Sequence, residues 1–207
     1  KSNFAEYKKK EGFIILKDDI TISDKDNNVL KTNRATYDTK DKILKTFENT
    51  SFVSAEGYKL NSSDIELNIK DKSIYSNNLT ELVDLDGNII TLQNFDYESL
   101  NKIFKSIGKV EINDNRGNSY LFSQLIIDTK KKEMIGTDIK AFLNEESFKI
   151  NKKNKPRIFA NTVQFKNSNT KFQKSTFTFC DYRKNDKCPP WTIQSSEMLH
   201  DRKKKTI

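Results

Sequence analysis

A step of 30 residues runs through this chain, and it restricts the fold more than any other feature. A unit of that length cannot bury an apolar face alone and must stack on its neighbours. From Ile22 the step gives Phe52, Leu82, Ile112 and Phe142; from Leu30 it gives Leu60, Ile90, Tyr120 and Ile150. A third column runs Ile14, Leu44, Ile74, Phe104, Met134, a fourth Ala35, Ile65, Phe95, Leu125, and a fifth Tyr37, Leu67, Tyr97, Ile127. Every position in the five is apolar or aromatic.

Turn residues recur at the same step. Asn27, Gly57, Gly87 and Gly117 mark one reversal; Asp41, Asp71, Asn101 and Lys131 mark the other. Gly and Asn tolerate positive φ, and Asp84-Leu85-Asp86-Gly87-Asn88 has hairpin-turn chemistry. Between turns the alternation is of period two, as in Ile65-Glu66-Leu67-Asn68-Ile69, so each unit reads as strand, turn, strand, turn. The segments most open to a helical reading, near Glu145-Glu146 and Ser195-Ser196-Glu197, also fall within the strand rhythm. The repeat weakens near Ile150, where Lys152-Lys153-Asn154-Lys155-Pro156 forms a basic loop. It then returns: Val163, Phe165 and Phe172 continue the fourth, fifth and third columns, and Met198, His200 and Ile207 do so again. Roughly six units result, the last incomplete. The sequence thus predicts an all-β fold, antiparallel, built from two-strand repeats.

Composition agrees with thin sheets instead of one thick core: 34% of the residues are hydrophobic and 32% charged. Large apolar residues in register argue against disorder. The net charge of +8 draws a surface toward nucleic acid, anionic lipid or phosphorylated sugars. An AT-rich genome also enriches Lys, Asn and Ile without selection for a ligand. There is no DNA-binding motif and no Arg cluster for bidentate phosphate contacts, and the aromatics sit in the apolar columns instead of interleaving with Lys on an outward face, so nucleic acid is not an expected partner. No stretch approaches the ~20 consecutive apolar residues of a membrane helix. The chain opens at Lys1 and stops within a strand pair, so a processed or trimmed fragment is expected.

Stacked units align the columns into apolar stripes along one axis, which serve as a filled core or as an open trough. Small residues beside the third column, Thr46, Ser76, Ser106 and Gly136, lean toward a cavity, although tapering cores also mix sizes.

Chemistry-bearing patterns are few. The single His, His200, occupies a column position next to Asp201, but strand neighbours point to opposite faces, which makes it structural. Asp18-Asp19, Glu145-Glu146 and Asp84/Asp86 read as solvated carboxylates. No Gly-rich phosphate loop, zincin motif or Ser nucleophile elbow is present, so neither catalysis nor a cofactor is expected. Cys180 and Cys188 with one His make a poor zinc site. A disulfide closing their short polar loop, a bridge to a part of the protein beyond this sequence, and two free thiols are the states open to them. Either disulfide implies an oxidising compartment.

The segment after Phe179 carries Cys180, Cys188, Pro189-Pro190, Trp191-Thr192-Ile193 and His200-Asp201-Arg202. In this it resembles the LptD (organic solvent tolerance) family, at the junction where its periplasmic domain approaches the outer-membrane barrel. The repeat before it is similar to the OstA-like domain shared by LptD, LptA and LptC. The resemblance implies an OstA-like domain over residues 1–179, and a Cys/Pro/Trp segment over 180–207 that leads toward a C-terminal β-barrel. It implies an antiparallel β-jellyroll of the β-taco type whose trough carries lipid A acyl chains. Lining that trough would be Ile22, Leu30, Ala35, Tyr37, Leu44, Phe52, Leu60, Ile65, Leu67, Ile74, Leu82, Ile90, Phe95, Tyr97, Phe104, Ile112, Tyr120, Leu125, Ile127, Met134, Phe142, Val163 and Phe165. The expected function is a lipopolysaccharide conduit at the periplasmic face of the outer membrane of a Gram-negative cell. Its implied partners are lipopolysaccharide, an LptA-like bridge joined by edge-strand pairing, and an LptE-like lipoprotein acting through the barrel. In that family the N-terminal cysteines bond to cysteines of the barrel, which matches Cys180 and Cys188 in location. The rival readings are a free-standing bridge of the LptA or LptC kind, and a structural β-solenoid or adhesin with a filled core.

Overall fold

The computed structural model describes residues 1–144, 156–166, 169–179 and 191–201. Among them sixteen strands and no helix are found, so the all-β expectation holds. The strands are β1 (Phe4–Lys8), β2 (Phe13–Ser23), β3 (Val29–Asp38), β4 (Ile43–Val53), β5 (Lys59–Ser63), β6 (Glu66–Asn68), β7 (Ser73–Ser76) and β8 (Thr80–Val83). They continue with β9 (Ile89–Leu92), β10 (Phe95–Glu98), β11 (Ile103–Asn113), β12 (Ser119–Asp128), β13 (Glu133–Phe142), β14 (Arg157–Lys166), β15 (Asn169–Thr178) and β16 (Ile193–Asp201). The fold is an antiparallel β-jellyroll of the taco type, built on the 30-residue step. Ser195, Ser196 and Glu197 lie in β16.

By contacts the chain divides into two compact units, Lys1–Ser106 and Ile107–Ile207, the boundary falling within β11. In unit 1, β1 to β4 pair in sequence. At β4 the sheet forks. The Ile43–Lys45 end of β4 pairs β6, followed by β7, β10 and the start of β11. The Asn49–Val53 end pairs β5, followed by β8 and β9. In unit 2, β12 to β16 form a meander.

The fork falls where every long strand breaks its own alternation. The β2–β3 register shifts between Lys17 and Ile20, and the β3–β4 register between Thr32 and Arg34; in each case two residues of one strand oppose one of the other, a β-bulge. Left-handed residues mark the place: Asp18 (φ 59°), Asp19 (φ 50°), Glu48 (φ 68°) and Asp64 (φ 52°) in unit 1, Gly108 (φ 112°), Asp138 (φ 51°) and Lys174 (φ 49°) in or leading into unit 2. Asp18, Glu48, Gly108 and Asp138 keep the 30-residue step. A left-handed residue turns the chain sharply, so β2, β4, β11, β13 and β15 are folded near their midpoints into a crease.

The crease changes which residues face inward. In β3 they are Leu30, Thr32, Ala35 and Tyr37, a jump of three across the break; in β4 they are Leu44, Thr46, Thr50 and Phe52, a jump of four. Register then shows that the five sequence columns are fewer rows. Ile22, Leu30, Phe52, Leu60, Leu82 and Ile90 are successive cross-strand partners, so the first two columns form one row. Ile14, Tyr37, Leu44, Leu67, Ile74, Tyr97 and Phe104 form another, merging the third and fifth.

Unit 2 crosses its crease in register, which moves one expected position, and the β14–β15 pairing moves another. In β13 the inward set is Met134, Gly136, Ile139 and Ala141, so Ala141 (1% exposed) takes the interior place expected for Phe142, which is 38% exposed. Phe172 pairs with Val163 opposite the small-residue positions, and Thr170, not Phe172, faces Phe165.

The apparent gap at Gly136 is filled. A Cβ there would lie 2.5 Å from Cδ1 of buried Phe122. Gly136→Ala should therefore destabilise unit 2 by about 1–3 kcal/mol in urea denaturation, and adding Phe122→Leu should recover part of that loss.

Candidate functional site

The candidate site of unit 1 is the inner face of the folded sheet, and it comprises four rows. Two lie at the crease: Ile20, Thr32, Thr50, Ser62, Thr80 and Leu92 on one side, and Leu16, Ala35, Thr46, Ile65, Ser76, Phe95 and Ser106 on the other. All except half-buried Leu16 are buried. The other two are the edge rows described above. Ile20, Ala35 and Leu44 form a buried cluster, and Ile22 from one edge row and Tyr37 and Leu67 from the other pack against it. Residues from opposite ends of the strands thus meet over one core.

Burial falls off from crease to edge. Ala35, Ile65 and Phe95 are buried, as are Leu30, Leu44, Leu60 and Ile90. Ile22, Tyr37, Phe52, Leu67, Ile74, Leu82, Tyr97 and Phe104 are half-buried. Phe95 and Phe104 stack, with ring centroids 6.2 Å apart. In unit 2, Leu125 and Val163 are buried, whereas Ile112, Tyr120, Ile127, Met134 and Phe165 are half-buried. Cys180, Cys188, Pro189, Pro190 and Ile150 lie outside the described residues.

The crease floor is not wholly apolar. Thr50 Oγ1 hydrogen-bonds with Thr32 Oγ1 (3.1 Å) and Thr46 Oγ1 (2.9 Å), and the Ile65 N–H donates to Thr46 Oγ1 (3.0 Å). Ser62 Oγ bonds Ser76 Oγ (3.1 Å) and Thr80 Oγ1 (2.7 Å), and Ser106 Oγ donates to the Asn94 carbonyl (2.7 Å). These hydroxyls satisfy one another and nearby carbonyls, so they close the crease. The sequence reading only leans toward a cavity at three of them, Thr46, Ser76 and Ser106. Ile20 and Leu92 escaped it altogether, although Ile20, Thr50, Thr80, Val110 and Thr32, Ser62, Leu92, Phe122 keep the same 30-residue step.

Near the crease, Asp19, Thr21, Lys31, Asn33, Asn49, Ser51 and Asn61 line a depression of about 680 Å³ together with Ile20, Thr32, Thr50 and Ser62 of the crease row.

The two edges end in different turns. One set, Asp24–Asn28, Ser54–Tyr58 and Asp84–Asn88, has its counterpart in unit 2 at Asp114–Asn118. In each Asp-Asn turn the Asp Oδ1 accepts backbone N–H groups while the Asn side chain donates to Oδ2 at 2.7 Å. The Asn28 side chain leads the hydrogen bonds that hold the Asp24 carboxyl below its ordinary value of 3.8. At Asp114 partial burial pushes the other way, but bonds from Asn118, the Arg116 N–H and Tyr120 together outweigh it. The opposite set of turns spans 9–12, 39–42, 69–72 and 99–102 and is rich in Lys. There the left-handed residues are Gly12, Lys42, Lys72 and Lys102, one position after the Asp41, Asp71 and Asn101 that sequence singles out. In the first set Asn27, Gly57, Gly87 and Gly117 have positive φ as expected.

Among the described residues there is no group of three or more His, Cys, Asp or Glu able to hold a metal ion, and no helix is long and apolar enough to cross a membrane. No protein-family model and no curated protein matches the chain.

A carboxyl whose folded pKa is depressed contributes stability above its unfolded value and loses it as pH falls through the folded one. The thermal midpoint should therefore be steady near neutrality and drop below about pH 4. Asn28→Ala with Asn118→Ala should lower the neutral midpoint and make the acid drop shallower, measured by circular dichroism melts.

Proposed function

We propose that the chain is a non-catalytic conduit for an acylated lipid, of the kind expected for the LptD periplasmic domain, with acyl chains lying along the edge rows. The observation that carries this reading is the burial gradient in unit 1. The crease is sealed by buried side chains and satisfied hydroxyls, while the edge rows, apart from buried Leu30, Leu44, Leu60 and Ile90, keep apolar side chains that are only half-buried. Half-exposed apolar groups in register are an unfinished core, which an acyl chain would complete at about 0.8 kcal/mol per buried CH₂. Successive positions in a row are near-equivalents, Leu67 beside Ile74 and Tyr97 beside Phe104, so a chain would slide without a deep trap. Direction must then come from a partner.

In this proposal the cargo is lipopolysaccharide and the site is the periplasmic face of the outer membrane. An LptA-like bridge would add to an edge strand, and an LptE-like lipoprotein would act through a barrel outside this sequence; no cofactor is involved. Cys180 and Cys188 are proposed to form disulfides, with one another or with that barrel.

Phe122 filling the place of a side chain at Gly136 favours a second reading, a structural β-repeat with a filled interior, at least for unit 2. The two are separated by a photo-crosslinking residue at Leu67 or Tyr97 in the full protein in cells. Capture of lipopolysaccharide there, and none from exposed Lys31 or Glu81 on the other face, is the expected result. Equal capture at all four positions, or none at any, would contradict the conduit.

A further inference from the structure

The two edges of unit 1 carry opposite charge. The turns of one hold Lys9, Lys10, Lys40, Lys42, Lys70 and Lys72, with Lys102 in the fourth turn, against Glu11, Asp41 and Asp71 and against Asp38 and Glu98 at the strand ends that enter them. The turns of the other hold Asp24, Asp26, Glu56, Asp84 and Asp86 against Lys25. A lysine surplus from base composition alone would fall on both edges.

Backbone conformation sharpens the point. The left-handed position in the first set of turns is Gly12 (φ 82°), then Lys42 (φ 60°), Lys72 (φ 50°) and Lys102 (φ 59°). The acidic edge fills its own left-handed positions with Asn27, Gly57 and Gly87, the residue types that tolerate them. A side chain with a Cβ is sterically disfavoured there, so lysine recurs against backbone preference.

These lysines are also held in line. The Thr39 N–H donates to the Gly12 carbonyl (2.9 Å), the Ile69 N–H to the Lys42 carbonyl (3.0 Å) and the Ser99 N–H to the Lys72 carbonyl (2.9 Å). Each turn is thus tied to the next, and successive lysines stand two strand spacings, roughly 9–10 Å, apart. Lys70 reaches Asp41 at 4.0 Å, but both side chains are more than half exposed, and such a pair neutralises little. Behind this edge lies the apolar row from Ile14 to Phe104.

We propose that the lysine edge receives the phosphates of an anionic amphiphile whose acyl chains lie on the rows behind it, and that the acidic edge repels them. The bipolar rim thereby fixes the orientation of the cargo. This rests on the conduit reading and adds to it which way the headgroup points.

The test uses the full chain with Lys42→Gly, Lys72→Gly and Lys102→Gly combined. Glycine suits the left-handed turn, so the variant keeps its fold, which a circular dichroism melt checks. The probes are lipid A bearing two phosphates, the same lipid dephosphorylated, and inorganic phosphate as competitor. The wild type should bind the phosphorylated lipid about tenfold more tightly at low salt, with the advantage shrinking as salt rises. The triple variant should bind both lipids alike, at the wild-type affinity for the dephosphorylated form. Asp26→Asn with Asp86→Asn should leave the preference in place. A triple variant that keeps the preference, or a wild type that lacks one, would overturn the orientation and leave the conduit standing. Binding of neither lipid by the wild type would remove the conduit itself. Inorganic phosphate competing as strongly as lipid A would overturn the amphiphile as occupant.

Discussion

The mid-strand crease is the constraint on which the rest depends. A straight antiparallel sheet with this repeat would present one flat apolar face, which no single layer can bury. Left-handed residues at Asp18, Glu48, Gly108 and Asp138 fold the strands, and in unit 1 the halves of one sheet then bury each other. The fork at β4 follows, because beyond it the strand halves pair as separate ladders.

Folding at the crease also sorts the side chains by depth. The fold buries small residues, Ala35, Thr46, Ser62, Ser76 and Thr80, beside the larger Ile20, Ile65, Leu92 and Phe95, and burying hydroxyls there is tolerable because they bond one another. Larger groups, Tyr37, Phe52, Leu67, Tyr97 and Phe104, sit toward the edges and remain partly uncovered. A closed floor and open edges are thus two consequences of one bend, and the proposed cargo site lies between them.

The fold class was legible because register and period are written in the positions of Ile, Leu, Phe and Tyr. Leu30, Leu60 and Ile90 are buried where the 30-residue step places an interior. The way the columns combine was not legible. Antiparallel neighbours such as Tyr37 and Leu44 share a row only because the turn between them has a particular length, and sequence columns do not encode that pairing. Phe142 shows the limit of periodicity: β13 crosses its crease in three residues, in register with β12, where β4 takes four, and Ala141 takes the interior place. The crease hydroxyls were half-visible, since Thr46, Ser76 and Ser106 stood out as small residues while their hydrogen-bonding role did not. Charge was legible only as a sum, and its division between two edges emerges once turns alternate along the fold.

The central claim is that the edge rows of unit 1 keep partly exposed apolar side chains, Phe52 among them, while the crease is closed. A nitroxide scan along β4, with Cys180 and Cys188 replaced by Ala and single cysteines at Lys45, Thr46, Ser51 and Phe52, reads this directly in the presence and absence of lipopolysaccharide. The account predicts that the label at Phe52 is mobile without lipid and immobilised with it, that Thr46 is immobile in both states, and that Lys45 and Ser51 do not change. A label at Phe52 that is already immobile without lipid, and unchanged on its addition, would mean a filled core and contradict the account.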